Sequence, residues 1–455
     1  MKATLAPARK QCLLPLSLPL RGVEGSTLTA PANSLVSRPS PVWACLAFTF
    51  INSVATGFTF NGIPFINKEV FKYGAATSSA LGVLLGVTYI LGALYTGKAT
   101  RWAERTWAWC TPRAVLCVMM LVGAALNLLP VAAWFALTPD RRATDAQWAM
   151  WVFIALYSVL CGGLWPIVES FMSGGRGAAL PRVIGKFNVL WSSALVGSLW
   201  FVSAIPLALQ NVWSAAGSKL DRIDATVAAF GVMALLHLLA AALLWFFQPH
   251  PGSHDATAHA TPASYEPLLR LHRALMPVSY VVCYALSPYL PTMFTALKIN
   301  ELWQPIFGSI WLAARPVTFF ILDRWQGWHG KRFTAVAGSI CVLGGFSACV
   351  LSTLMGPAGI PVAAAALAAF GAGMAMIYVA ALYYAMEVGA AAVDEGGKHE
   401  ALIGMGYTVG PLCGLGGAAA VTVGIVTQPS TAMLTLVAAA SLGGGAWLLK
   451  RSQTA

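Results

Sequence analysis

The sequence predicts an all-α membrane protein of twelve transmembrane helices, arranged as two parallel six-helix repeats. Three observations carry this. Apolar residues fill 58% of the 455 positions and charged residues 10%, against about 45–50% and about 25% in an ordinary soluble domain; mean hydropathy is +0.70. Twelve apolar segments are each long enough to cross a hydrocarbon core that needs about 20 residues. Features also recur in the same order on both sides of a central polar gap.

Residues 1–40 come first. They are acid-poor, and their one apolar run, "CLLPLSLPL", is too short to span and is interrupted by proline. The expectation is a disordered cytoplasmic tail, or an over-called start site, rather than a helix. The first six spans follow at 42–63, 75–97, 113–137, 147–172, 186–208 and 225–247. The gap "QPHPGSHDATAHATPASYEPLLRLHRALMP" from Gln248 opens with linker composition. It ends in "YEPLLRLHRAL", which reads as a short amphipathic helix on the membrane surface. The second six spans lie at 276–297, 302–322, 333–355, 359–387, 400–426 and 430–449. The expected organisation is a tail (1–40), a six-helix bundle (41–248), a cytoplasmic linker (249–275) and a second bundle (276–450).

An even number of spans puts both termini on one side. The face formed by the termini and the even-to-odd connections holds 20 of the 28 Lys and Arg residues, among them Arg101, Arg176, Arg324, Lys331 and Lys398. The positive-inside rule makes that face cytoplasmic, so an inner-membrane protein with both termini inside is expected. The net charge of +12 is therefore topological. Nucleic acid is not expected as a partner, because a binding groove needs basic residues clustered among polar ones. The nine cysteines are scattered without zinc or redox spacing and read as small buried apolar residues.

The repeat rests on three matches. Arg101-Trp102 pairs with Arg324-Trp325 at an offset of 223, Glu169 with Glu387 at 218, and Gly185-Lys186 with Gly397-Lys398 at 212. The offset shrinks steadily because the loops of the second half are shorter. Each half holds an even number of spans, so both have the same orientation, as in parallel repeats.

"ILDRWQGWHGKR" resembles the loop motif of the major facilitator superfamily, in which an Asp-Arg pair precedes Gly and a basic cluster. Asp323, Arg324, Gly327, Lys331 and Arg332 match it with stretched spacing. The first-half stretch "GALYTGKATRWAER" keeps Gly92, Gly97, Lys98 and Arg101 but has no Asp. "WPIVESFMS" with "GKFNVLWSSALVGS", and "GKHEALIGMGYTVGPL", are similar to the fourth, fifth and eleventh helices of bacterial members. The resemblance covers about residues 41–450.

It implies that helices one, four, seven and ten line a cavity, with Asn52, Asn61, Tyr157, Trp165, Tyr280, Tyr284, Tyr289, Tyr378, Tyr383 and Tyr384 as candidates. It also implies that helices five and eleven lie between the halves. Gly406, Gly410 and Gly414, spaced by four, and Gly197 with Ser193 would offer smooth helix interfaces there. "GLGGAAAVTVG" is not a phosphate loop, because it lacks the Lys-Ser/Thr.

Ionisable residues inside a span are costly and are functional candidates. Arg315 lies eight residues, roughly 12 Å along a helix, from Asp323. It either binds an anionic group or an acidic partner in the cavity, or it snorkels inward or pairs structurally with Glu387 or Asp323. Glu169 and Glu387 either form inner-gate charge relays with Arg101, Asp323 and Arg324, or carry a proton. His237 is either a proton carrier or a packing residue.

The expected function is secondary transport of a small organic solute by alternating access, with proton-coupled export of amphipathic compounds, as an antiporter, foremost. Import of a neutral nutrient, or a receptor or scaffold without transport, are the alternatives. No nucleophile cluster points to an enzyme. No cofactor or metal is expected. The expected partners are the solute, the lipid bilayer and protons, and the expected state is a monomer.

Overall fold

The computed structural model describes residues 38–252, 262–388 and 393–454, all within the compact unit Ser37–Ala455. Residues 1–37 of the expected tail and 253–261 of the expected linker lie outside the described residues. Every regular element among the described residues is helical. The long helices are α1 (Val42–Val70), α2 (Ala75–Thr106), α3 (Pro112–Phe135), α4 (Gln147–Ser173), α5 (Leu180–Ala215) and α6 (Arg222–Phe246). They continue with α7 (Tyr265–Ala296), α8 (Glu301–Arg324), α9 (Phe333–Ser352), α10 (Ile360–Val388), α11 (Val393–Thr422) and α12 (Pro429–Thr454).

Among the described residues, ten helical runs are long and apolar enough to cross a membrane. One of them, Phe333–Ala385, is α9 and α10 folded back at a turn around Gly356, whose φ of 57° suits a residue without a Cβ. The protein is an integral, multi-pass membrane protein. Its helices show why. On α3 the buried side carries Leu116, Met120, Ala124, Asn127 and Trp134, while Val118, Leu121, Val122 and Leu128 face outward. Outward aliphatic side chains are stable where the surrounding solvent is lipid. Local signals set the ends: Thr111 accepts from the Ala114 amide at 3.3 Å to start α3, and Asp221 accepts from the Asp224 amide at 2.7 Å to start α6.

Packing follows the repeat. In the first six helices α1 packs on α5 and α6, α2 on α4, and α3 on α4. Adding six to each number gives α7 on α11 and α12, α8 on α10, and α9 on α10, all of which occur. The cross-contacts obey the same rule, since α5 packs on α8 and α11 on α2. The order is broken at α4 and α11, which pack together, while the counterpart pair, α5 and α10, flanks a cavity.

The expected surface helix is instead the first part of α7. Leu268, Leu269 and His272 are buried, and the His272 ring binds the Leu268 carbonyl at 2.8 Å and Thr334 Oγ1 of α9 at 2.9 Å. Its apolar face thus has a protein partner in place of lipid headgroups.

The end of the bundle that carries Arg101, Arg324 and Lys331 is the basic end. The opposite end is bridged. Lys68 Nζ of α1 donates to the Pro291 carbonyl at 2.9 Å and to Thr295 Oγ1 at 2.5 Å, both on α7. Phe65 stacks on Phe294 at 6.3 Å. Trp200 Nε1 donates to Ser309 Oγ at 2.9 Å, and Ser203 Oγ to the Leu302 carbonyl at 2.8 Å, joining α5 to α8.

Candidate solute cavity

A central cavity of about 730 Å³ opens between the two sets of six helices. Its lining comes from α1, α2, α4, α5, α7, α8, α10 and α11. These are the helices that the cross-contacts bring to the middle; α3, α6, α9 and α12 form the outer wall.

Of the expected cavity residues, Asn61, Trp165, Tyr280, Tyr284, Arg315 and Tyr378 line it. Asn52 and Tyr157 do not. Asn52 is wholly buried, and neither side-chain amide atom has a hydrogen-bond partner among the described residues. Tyr157 turns away to α6, where its hydroxyl and His237 Nε2 share a 2.7 Å hydrogen bond. His237 packs with Gly123 of α3, outside the cavity. Tyr383 and Tyr384 pack with Tyr265 and Trp328 near the basic end. Tyr289 is also outside the lining.

Arg315 is 3% exposed. Its Cζ lies 4.6 Å from the Trp191 ring centroid, 5.8 Å from Trp311 and 5.9 Å from Tyr378. Aromatic faces attract a cation that has lost water. Trp191 belongs to α5 and Arg315 to α8, so this stack crosses between the two sets of helices. Nε and Nη2 of Arg315 have no hydrogen-bond partner among the described residues.

The other pole of the cavity is acidic. Glu169 of α4 and Glu400 of α11 are both buried in its lining. The Tyr89 hydroxyl of α2 donates to the Glu400 carboxylate. Tyr407 packs against Tyr89 at 5.0 Å, Tyr284 at 3.9 Å and Tyr280 at 5.8 Å, and so forms an aromatic floor shared by α2, α7 and α11.

Of the expected gating residues, Glu169 is therefore in the cavity. Asp323 and Glu387 line a second cavity of about 640 Å³ at the basic end, beside Gly185, Asn188 and His329. The Asp323 carboxylate lies against Gly185 of α5, where any Cβ would collide with it. Arg324 turns elsewhere, with Cζ 4.8 Å from the Phe320 ring. Arg101 is exposed at the end of α2. The repeat partners Glu169 and Glu387 thus occupy different cavities.

The expected interface glycines divide as well. Gly406 and Gly410 lie against the α7 backbone at Tyr280 and Val281, within the second six. Gly414 meets Ser79 of α2 across the two sets, and Gly197 meets nothing. Gly86 of α2 lies so close to Tyr407 and Thr408 of α11 that a Cβ there would collide with their backbone.

Sequence reasoning did not single out Glu400, Tyr89, Trp191, Trp311 or Tyr407. Glu400 stands two residues after the second Gly-Lys pair, and its signal was a carboxylate two turns inside a helix that starts at Val393 rather than 400.

No family model matches the chain, and no curated protein matches it in sequence. Solved structures do match in fold. A bacterial homologue of the human lysosomal transporter Spinster, in an inward-facing and unoccupied conformation, aligns with a TM-score of 0.63 at 14% identity over 94% of this chain and 98% of that one. The nucleoside transporter NupG aligns with a TM-score of 0.56 at 12% identity, over 91% of this chain and 98% of that one. The human organic anion transporter MFSD10 (TETRAN) aligns with a TM-score of 0.55 at 12% identity, over 90% and 98%. With its paired sets of six helices around one central cavity, the chain has the major facilitator fold.

Proposed function

We propose that this chain is a secondary transporter that carries a small organic solute through the central cavity by alternating access, as residues 41–248 rock against 276–450. The observation that supports it best is the cavity itself: aromatic, lined from both sets of six helices, and holding a few ionisable groups. Such a site suits an organic ligand, and its walls belong to the two parts that would move. The positive-inside rule supports a cytoplasmic basic end, with both termini inside, in an inner membrane. The neighbours' printed substrates, nucleosides and organic anions, do not transfer at 12–14% identity.

For direction and coupling, we read proton-coupled export of amphipathic compounds. Glu169 and Glu400 support it as two carboxylates in the lining that can exchange protons between states. The test is flux in proteoliposomes with and without a proton gradient, at matched voltage and buffering. Accumulation or extrusion that follows the gradient fits the proposal. Equal rates under both conditions exclude proton coupling, and absence of flux for any member of a broad solute panel bound by the protein excludes transport.

A further inference from the structure

We propose that Arg315 is the head-group subsite of the cavity and that it takes the carboxylate of a monoanionic organic acid; this deepens the transporter reading above and rests on it. Three features of Arg315 lead there. The side chain is almost wholly buried, and arginine cannot shed its charge in a protein. Its faces are covered by rings, with Trp191 at 4.6 Å the nearest. Its Nε and Nη2 have no hydrogen-bond partner among the described residues.

Those two nitrogens are not an arbitrary pair. Together they form one edge of the guanidinium, with two parallel N–H bonds in the ring-free plane. That edge matches the two oxygens of a carboxylate in a bidentate pair. A neutral hydroxyl or amide oxygen fills one donor and leaves the other unmade and buried.

The remainder of the lining restricts the ligand further. Glu169 and Glu400 share the cavity, and no ion pair joins either to Arg315 among the described residues. One guanidinium edge balances one negative charge, so a dianion such as a phosphate monoester would keep a second charge buried and unpaired. Tyr280, Tyr284, Tyr378 and Tyr407 offer ring surface to an apolar body. The class that fits is therefore a monocarboxylate with an aromatic or aliphatic body.

The experiment is isothermal titration of the purified full chain with benzoate, phenylacetate and octanoate, each against its own carboxamide, and with phenyl phosphate. At least one carboxylate should bind saturably and at least about tenfold more tightly than its amide. Arg315→Gln should abolish that preference, and Arg315→Lys should restore it only in part, because an ammonium lacks the two-donor edge. Amides that bind as well as acids, no saturable binding by any of the three acids, or phenyl phosphate binding as tightly as benzoate would each overturn the assignment. The wild-type comparison decides the matter even when Arg315→Gln does not fold. Flux separates the two proposals: carboxylate binding without transport sinks the transporter reading alone, and transport of neutral solutes that Arg315→Gln leaves unchanged sinks the subsite alone.

Discussion

The Tyr89 hydroxyl donates a hydrogen bond to the Glu400 carboxylate and so ties α2 to α11, 311 residues apart in the chain. Both side chains are buried. One turn earlier on α11, Gly396 lies against the Glu169 carboxylate of α4. The acidic pole is thus held by three helices from both sets. Tyr89→Phe removes the donor and leaves a buried acceptor, a loss of about 1–3 kcal/mol. The expected outcome is a lower apparent unfolding temperature in detergent, with Glu400→Gln less affected because its amide can still accept from Tyr89. Equal unfolding temperatures for wild type and Tyr89→Phe would show that the bond carries no net stability.

Lys68 closes the end opposite the basic loops. Its ammonium is held by the Pro291 carbonyl and Thr295 Oγ1 across the two sets of helices. Hydrogen bonds from a charged group contribute about 1.5–3 kcal/mol, so Lys68→Ala should shift the population toward an open outer end by roughly tenfold or more. Spin labels at the exposed positions Val212 and Trp303 report it as a longer distance component. An unchanged distance distribution would mean that the aromatic and α5–α8 contacts hold this end without Lys68.

Gly86 and Gly197 predict opposite outcomes for similar changes. A Cβ at Gly86 collides with the backbone of Tyr407 and Thr408, whereas one at Gly197 meets nothing. Gly86→Leu should cost about 1–3 kcal/mol or more through overpacking. Gly197→Ala should raise stability by about 0.5–1 kcal/mol through helix propensity alone. Folded yield and unfolding temperature of the two variants, measured side by side, check both signs.

Tyr157 and His237 offer a control for the cavity. Their 2.7 Å bond joins α4 to α6 outside the lining. Tyr157→Phe leaves the buried His237 nitrogen without its partner, so it should lower stability by about 1–3 kcal/mol and leave solute affinity unchanged. A change in affinity larger than about threefold without loss of fold, read by titration, would place Tyr157 in the solute path after all.

The fold was largely legible because lipid imposes long helices, and long helices are the easiest pattern to read. The site was legible where one residue breaks that pattern. Arg315 stands alone in an apolar run and could be picked out as such. Glu400 could not, because hydropathy starts the eleventh span at 400, while the helix runs from Val393 and carries the carboxylate inward. Tyr89, Trp191, Trp311 and Tyr407 were missed because the family resemblance points to helices one, four, seven and ten, whereas the neighbouring helices reach the cavity with large rings. Tyr157 shows the limit of helix identity alone. It precedes Cys161, Trp165 and Glu169 in steps of four, and each such step turns the helix face by about 40°. The three later residues reach the cavity, and Tyr157 has rotated out of it.

The stack of Trp191 on Arg315 sets the cost of moving that charge. A carrier that returns without cargo must take its bare cation through a closed, nearly dry state, where an uncovered charge is expensive. Here an indole from the facing helix covers one face of the guanidinium, at a strength of about 0.5–2 kcal/mol. The proposed cargo meets the open Nε–Nη2 edge and leaves the indole in place, so ligand and α5 hold the same cation from different sides. For the proposed transporter, parting α5 from α8 uncovers that charge, and a bound anion lowers the cost, which ties the motion to cargo.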